Sequence, residues 1–163
     1  VLRTRTPPLD PAEITSPSIQ RLIDDLFETM REYHGIGLAG PQVHESLRLF
    51  VAGVDEPDAS LPPVVMINPE IEPVGSTVDE DWEGCLSIPD LRGKVTRLAE
   101  IRVRALDRYG NPLQMTASGL PARVIQHETD HLDGVLFLDR MESFDSLTFL
   151  DEYARYWEKS GEV

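Results

Sequence analysis

The chain has a single cysteine, Cys85, among 163 residues. No intrachain disulfide can form, so packing must hold the fold, and a reducing compartment suits it. No uninterrupted apolar run approaches the roughly 18–20 residues that a membrane-spanning helix needs. The first residues lack the basic-then-apolar order of a secretory signal. Basic residues are scarce as well: 15 Lys and Arg face 29 Asp and Glu, a formal net charge of −14. That balance argues against a broad nucleic-acid surface. There is no repeat and no low-complexity segment. The glycine-rich stretch at residues 35–40 lacks the Lys-Ser/Thr ending of a phosphate-binding loop. A chain of this length builds one substantial core and is short for two, so a single domain over residues 1–163 is expected.

What the chain does have is His127-Glu128-Thr129-Asp130-His131 in a stretch that reads as helix. Histidines four apart lie on one helical face, about one turn apart, where both imidazoles can reach one cation. Glu128 then sits to the side of the pair, placed to contact a water on the metal without ligating the metal itself. A third donor must come from elsewhere, and Cys85 is the candidate. Two imidazoles and one thiolate leave a fourth position open for catalysis and suit Zn²⁺ or Fe²⁺.

Residues 1–16, rich in Pro and Thr, read as an extended N-terminal arm lying on the domain. Ser16-Pro17 supplies an N-cap and a first-turn proline, and Ile19, Leu22, Ile23, Leu26, Met30 and Tyr33 follow at helical spacing, ended by His34-Gly35. Leu47–Val54, Val64–Ile71, Ile101–Asp107 and Pro112–Thr116 read as strands, with a hairpin turn at Arg108-Tyr109-Gly110-Asn111. Ser118-Gly119 opens the helix that carries the histidines, and Gly134 closes it. A last amphipathic helix is expected at residues 146–157. Helix, mostly antiparallel strands, then helix is an α+β pattern.

Three segments together resemble the peptide deformylase family: Gly35-Ile36-Gly37-Leu38-Ala39-Gly40-Pro41-Gln42, then Glu83-Gly84-Cys85-Leu86-Ser87, then Gln126-His127-Glu128-Thr129-Asp130-His131. The likeness runs from about residue 17 to Asp139. It implies a single catalytic domain in which short, mostly antiparallel strands pack around a central metal-binding helix. It also implies metal-dependent hydrolysis of the N-formyl group of N-formylmethionyl nascent peptides, releasing formate. The ion would be Fe²⁺, with Zn²⁺, Ni²⁺ or Co²⁺ as alternatives, held by Cys85, His127 and His131. Glu128 would be the general base, and the Gln42 amide and Leu86 N–H the donors to the oxyanion. By the same resemblance the substrate would meet Gly35, Ile36, Gly37, Leu120 and Val124, while Glu83 and Arg92 would lie near the substrate or support the site, with a structural ion pair as the alternative for either. Arg123 would lie at the pocket rim or in solvent.

The resemblance implies a bacterial cytoplasmic setting, with a processed organellar form as the alternative. Any ribosome contact would need a local basic patch. Neither membrane association nor specific nucleic-acid readout is expected. The competing functions are a metal-stabilised formyl-peptide-binding module, a deformylase for a specialised formyl compound, and a His-Glu-x-x-His endopeptidase. The last usually takes its third ligand downstream of the helix, whereas Cys85 is upstream. Two residues depart from the family's usual pattern: Gly40 stands where alanine is common, and His44 where glycine is usual. Loss of the methyl at Gly40 is expected to loosen the local backbone, and His44 is expected to be a surface loop histidine.

Overall fold

The computed structural model describes residues 1–158. Helix α1 (Pro17–Glu32) starts where the capping signal places it: Ser16 is extended, its hydroxyl accepts the Ile19 N–H, and Pro17 follows in the first turn. Ile19, Ile23, Leu26 and Met30 form its buried stripe, each contributing about 1.5–3 kcal/mol on leaving water. The stripe covers one face of a five-stranded antiparallel sheet. This sheet runs in the order β1 (Gly37–Ala39), β2 (Leu49–Ala52), β3 (Val64–Pro73), β6 (Glu100–Leu106), β7 (Pro112–Ser118).

The central strands are continuous apolar runs because both faces are covered. In β2, Leu49 and Val51 belong to the core under α1, while Phe50 and Ala52 belong to the core on the opposite face. That second core packs Met66, Ile101 and Val103 against Ala122, Val124, Ile125 and Leu132 of helix α2 (Gly119–Leu132). From Ala122 to Leu132 every residue of α2 except His127 is buried. The helix bearing the His-Glu-x-x-His residues is therefore interior, as the resemblance implies.

Its other neighbour is a three-stranded antiparallel sheet in the order β4 (Val78–Cys85), β5 (Ile88–Leu98), β8 (Thr148–Phe149). Strands β4 and β5 have no counterpart among the elements read from the sequence, and neither has the short β1. Helix α3 (Phe137–Arg140) was also missed. The terminal helix is shorter than expected: Thr148 and Phe149 pair with Arg92 and Leu91 of β5, so α4 spans only Leu150–Tyr156. The β6–β7 hairpin forms as read, pairing Leu106 with Pro112 around Gly110 at φ +82°.

The N-terminal arm closes the end of α2. Thr6 donates both its backbone N–H and its hydroxyl to the Leu132 carbonyl, at 2.8 and 3.0 Å, satisfying a carbonyl the helix cannot. Gly134, at φ +73°, terminates the helix, and a Cβ there would lie 2.7 Å from the Arg3 carbonyl carbon. The arm is not extended throughout: Pro11–Glu13 is a 3₁₀ turn, and Leu9 and Ile14 are buried in the α1 core. Among the described residues, no helix is long and apolar enough to cross a membrane.

Candidate functional site

β4 and α2 bring the three motif segments together. Residues two apart in a strand share a face, so Glu83 and Cys85 both point from β4 toward α2. Cys85 Sγ lies 3.3 Å from His131 Nε2. Glu83 Oε2 lies 3.0 Å from His127 Nδ1, which leaves Nε2 of His127 facing the centre. One donor atom each from Cys85, His127 and His131 falls within 4.8 Å of the other two.

This donor set fits a divalent ion. It pairs one thiolate with two imidazoles, and a carboxylate orients one imidazole from behind, an arrangement that fixes tautomer and ring plane. The local field also favours a cation. Burial opposes charge on His127, yet hydrogen bonding to Cys85 and Glu83, together with the Glu128 charge, raises its pKa to about 10. His131 is driven the other way, to about 3, by burial and then by the charge of His127. His131 is therefore already neutral, whereas His127 must give up its proton to the ion that takes the proton's place.

Glu128 is 4% exposed. Burial is the main influence that raises its carboxyl to about 7, with the His127 charge opposing and the Glu83 charge assisting. A carboxyl poised there is suited to exchange protons at neutral pH. Its Oε2 is buried with no partner among the described residues. The other oxygen packs on Gly37, where an added Cβ would fall 2.3 Å from Oε1. Glycine at 37 is therefore required by the base, whatever the substrate also demands.

Gln42 follows β1 in a 3₁₀ turn, Gly40–Val43. Its Oε1 accepts the Ala39 N–H at 2.9 Å, and its Nε2 points to Ser87 Oγ at 3.1 Å and Cys85 Sγ at 3.7 Å. Leu86 lies in the turn between β4 and β5, with its side chain 41% exposed. Ile36 and Leu120 are exposed as well, so all three offer apolar surface to a ligand. Val124 differs: it is 5% exposed and belongs to the core under α2. Arg92 stacks its guanidinium over the Tyr153 ring of α4, 5.0 Å from the centroid. Gly35 touches Leu86, whose Cδ1 is 2.9 Å from where a Cβ would be. A cleft of about 360 Å³ opens beside Gly35 and Ile36, lined by Phe27, Met30 and His34 among others, and none of the metal donors lines it.

Burial decides between the readings of Glu83 and overturns that of Arg123. Glu83 takes the supporting place: it is 5% exposed and its carboxylate is engaged by Arg97, Arg123 and His127. Burial raises its pKa, but the hydrogen bonds from His127 and Arg97 outweigh burial and hold it at about 2. Arg123 is neither at a rim nor solvated. It is buried, donating to Glu83 Oε1, the Val95 carbonyl and Asp79. Asp130 binds Arg97 at 2.6 Å and accepts a two-pronged contact from Arg140.

Arg97 is the residue the sequence reading missed. It joins Glu83 to Asp130 and thus stands one bond behind the carboxylate that orients His127. Gly40 departs from expectation too. A Cβ there would lie 2.9 Å from the Glu45 carbonyl oxygen and 3.0 Å from that of Leu47, so the backbone has closed onto the missing methyl. His44 adopts φ +68°, a left-handed conformation that glycine takes without strain.

The sequence and the fold are similar to those of known proteins. The polypeptide deformylase family model matches residues 1–146. The chain is 45% identical over 143 residues to peptide deformylase 2 of Pseudomonas putida, covering 85% of this chain and 80% of that protein. It is 46% identical over 133 residues to a peptide deformylase of Pseudomonas aeruginosa, covering 82% and 78%. A crystal structure of the class I type b peptide deformylase from Acinetobacter baumannii with Met-Ala-Ser bound superposes with a TM-score of 0.80 at 39% identity, over 86% of this chain and 91% of that one. The Thermotoga maritima peptide deformylase gives 0.79 at 37% identity, over 87% and 91%. Because the match to the family runs through all three motifs and both sheets that support them, this chain belongs to the polypeptide deformylase family.

Proposed function

We propose that this chain hydrolyses the N-formyl group of N-formylmethionyl peptides with Cys85, His127 and His131 holding the metal and Glu128 moving the proton. Deformylase activity follows from the family and its relatives; the division of labour among residues is our reading. The observation that carries it is the convergence of one thiolate and two imidazoles beside a buried carboxyl with an unpartnered oxygen.

When bound, a divalent ion supplies Lewis-acid polarisation of the formyl carbonyl and acidifies water. Glu128 takes a proton from the attacking water and delivers it to the departing amine, a role that its burial and unpartnered Oε2 beside the metal donors suit. As the formyl carbon becomes tetrahedral, its oxygen gains negative charge. Gln42 Nε2–H and the Leu86 backbone N–H donate to that oxygen. Glu83 holds the His127 ring in place. The free edge of β1 and the preceding Ile36 receive the peptide backbone as an added strand. Ile36, Leu120 and the adjoining wall accept the unbranched methionine side chain, and Arg92 stands at the margin. The products are formate and a free amino terminus.

We infer Fe²⁺ as the working ion, with Zn²⁺, Ni²⁺ and Co²⁺ accepted by the same donors. Nascent formyl-Met chains are the substrate class we infer. Docking at the ribosome requires a local basic patch on a chain of net charge −14.

The test is formate release from an N-formyl-Met peptide by protein prepared without air, with metal counted on the same sample. N-formyl-Met peptides are expected to outperform N-formyl-Asp peptides, whose carboxylate would be buried unpaired, and N-acetyl-Met peptides, whose extra methyl must fit beside the metal. Equal rates on all three would refute the pocket. Binding of the formyl peptide with no formate released would make the chain a binding module.

A further inference from the structure

The two oxyanion donors stand on separate pieces of the fold. Gln42 belongs to the turn after β1, in the five-stranded sheet. Leu86 belongs to the β4–β5 turn, in the three-stranded sheet. Among the described residues no backbone ladder spans the two sheets, so strand pairing alone does not fix the distance between the donors. An oxyanion site needs its donors about 2.7–3.1 Å from one point. Something else must set the spacing.

Two side-chain bonds from Gln42 cross the gap, a long one to Cys85 Sγ and a shorter one to Ser87 Oγ that joins the two donor turns. Gln42 Nε2 donates to Ser87 Oγ at 3.1 Å, and Ser87 directly follows Leu86 in its turn. The far end of the amide is fixed as well, because Oε1 accepts the Ala39 N–H at 2.9 Å, which determines which way the amide faces. A primary amide nitrogen carries two hydrogens. Ser87 takes one, and the other points to Cys85 Sγ, 3.7 Å away, so the amide faces the metal-donor cluster.

We propose that Ser87 is a positioning residue for deformylation: its hydroxyl braces the Gln42 turn to the Leu86 turn, so that both donors converge on one oxygen. It touches neither substrate nor metal and acts through Gln42. The inference rests on the oxyanion role proposed above for Gln42. A single half-buried hydrogen bond contributes little to folding, whereas a donor displaced by a fraction of an ångström is felt fully in the transition state. The loss should therefore appear in kcat and not in stability.

The experiment uses metal-loaded protein and an N-formyl-Met peptide, with wild type, Ser87→Ala, Gln42→Ala and the double variant compared. Ser87→Ala is expected to lower kcat by about 10- to 100-fold, with KM within about twofold and with metal content and melting temperature unchanged. Ser87→Thr, which keeps the hydroxyl, should recover most of the rate. In the Gln42→Ala background, Ser87→Ala should cost less than about threefold, because the brace then has nothing to hold. A readout independent of turnover is the Gln42 side-chain amide in ¹⁵N NMR: its two proton signals should be distinct in wild type and averaged or shifted in Ser87→Ala. Wild-type kcat for Ser87→Ala, or the same fold loss in both backgrounds, overturns the proposal while leaving the deformylase reading intact. Full activity of Gln42→Ala overturns the oxyanion role of Gln42 and the brace together.

Discussion

Replacing Gly37 with alanine separates two reasons why a glycine stands there. If glycine serves only to let a peptide approach β1, an added methyl obstructs binding, KM rises and kcat is kept. The structure gives the other answer. The new Cβ would lie 2.3 Å from Glu128 Oε1, 2.7 Å from Cδ and 2.8 Å from Cγ, where ordinary contact begins at 3.4 Å. The carboxylate must retreat by about 1 Å, and a displacement of that size costs on the order of 100-fold in rate. Backbone strain does not enter, since Gly37 is not among the residues with positive φ. An alanine there even restricts the unfolded chain, worth about 0.4–1 kcal/mol, which offsets part of the clash in stability. Steady-state formate release should show kcat falling about 100-fold, with one metal per chain retained. A raised KM with wild-type kcat would refute the reasoning and return Gly37 to the substrate.

Arg97→Leu removes one arginine from each of two buried carboxylates, Glu83 and Asp130, which keep Arg123 and Arg140, and should destabilise the protein by about 1–3 kcal/mol, lowering Tm by roughly 5 °C in a thermal melt. His44→Gly removes a left-handed side-chain residue and should stabilise by about 0.5–1 kcal/mol, with activity unchanged; a lower Tm would contradict it. Chelation should abolish formate release and lower Tm, because an ion that binds only the folded state stabilises it. Restoring Fe²⁺ or Zn²⁺ should recover both, and the iron-loaded protein should lose activity in air faster than the zinc-loaded one, since only iron is redox-active here.

Local signals with a mechanism proved readable. Ser16 and Pro17 start α1, and its apolar stripe became the core beneath the first sheet. Strands β2, β3 and β6 carry enough Val, Ile and Leu to stand out, and β7 is marked by the turn that leads into it from β6. Strand β4 does not, because Val-Asp-Glu-Asp-Trp-Glu-Gly-Cys keeps its first four residues in solvent and commits few side chains inward. Missing it had a consequence at the site: period-two alternation would have put Glu83 on the Cys85 face, toward the metal helix and away from solvent. Arg97 is hidden for the same reason, since a charged residue near the end of an unread strand gives no sign that it is buried. The Gly37–Glu128 contact joins residues 91 positions apart, and only the packing of α2 on β1 brings them together. The donors Cys85, His127 and His131 were legible because ligand chemistry restricts residue type more tightly than packing does.

The most direct test compares wild type with Glu128→Gln in one anaerobic assay of formate release from an N-formyl-Met peptide, with metal counted in both. Glutamine keeps the shape but cannot accept the proton. The expected result is one metal per chain in each protein, formate and free amine from wild type, and a rate at least about 100-fold lower from the variant. Near-normal turnover by metal-loaded Glu128→Gln, or no formate from metal-loaded wild type, would contradict the account.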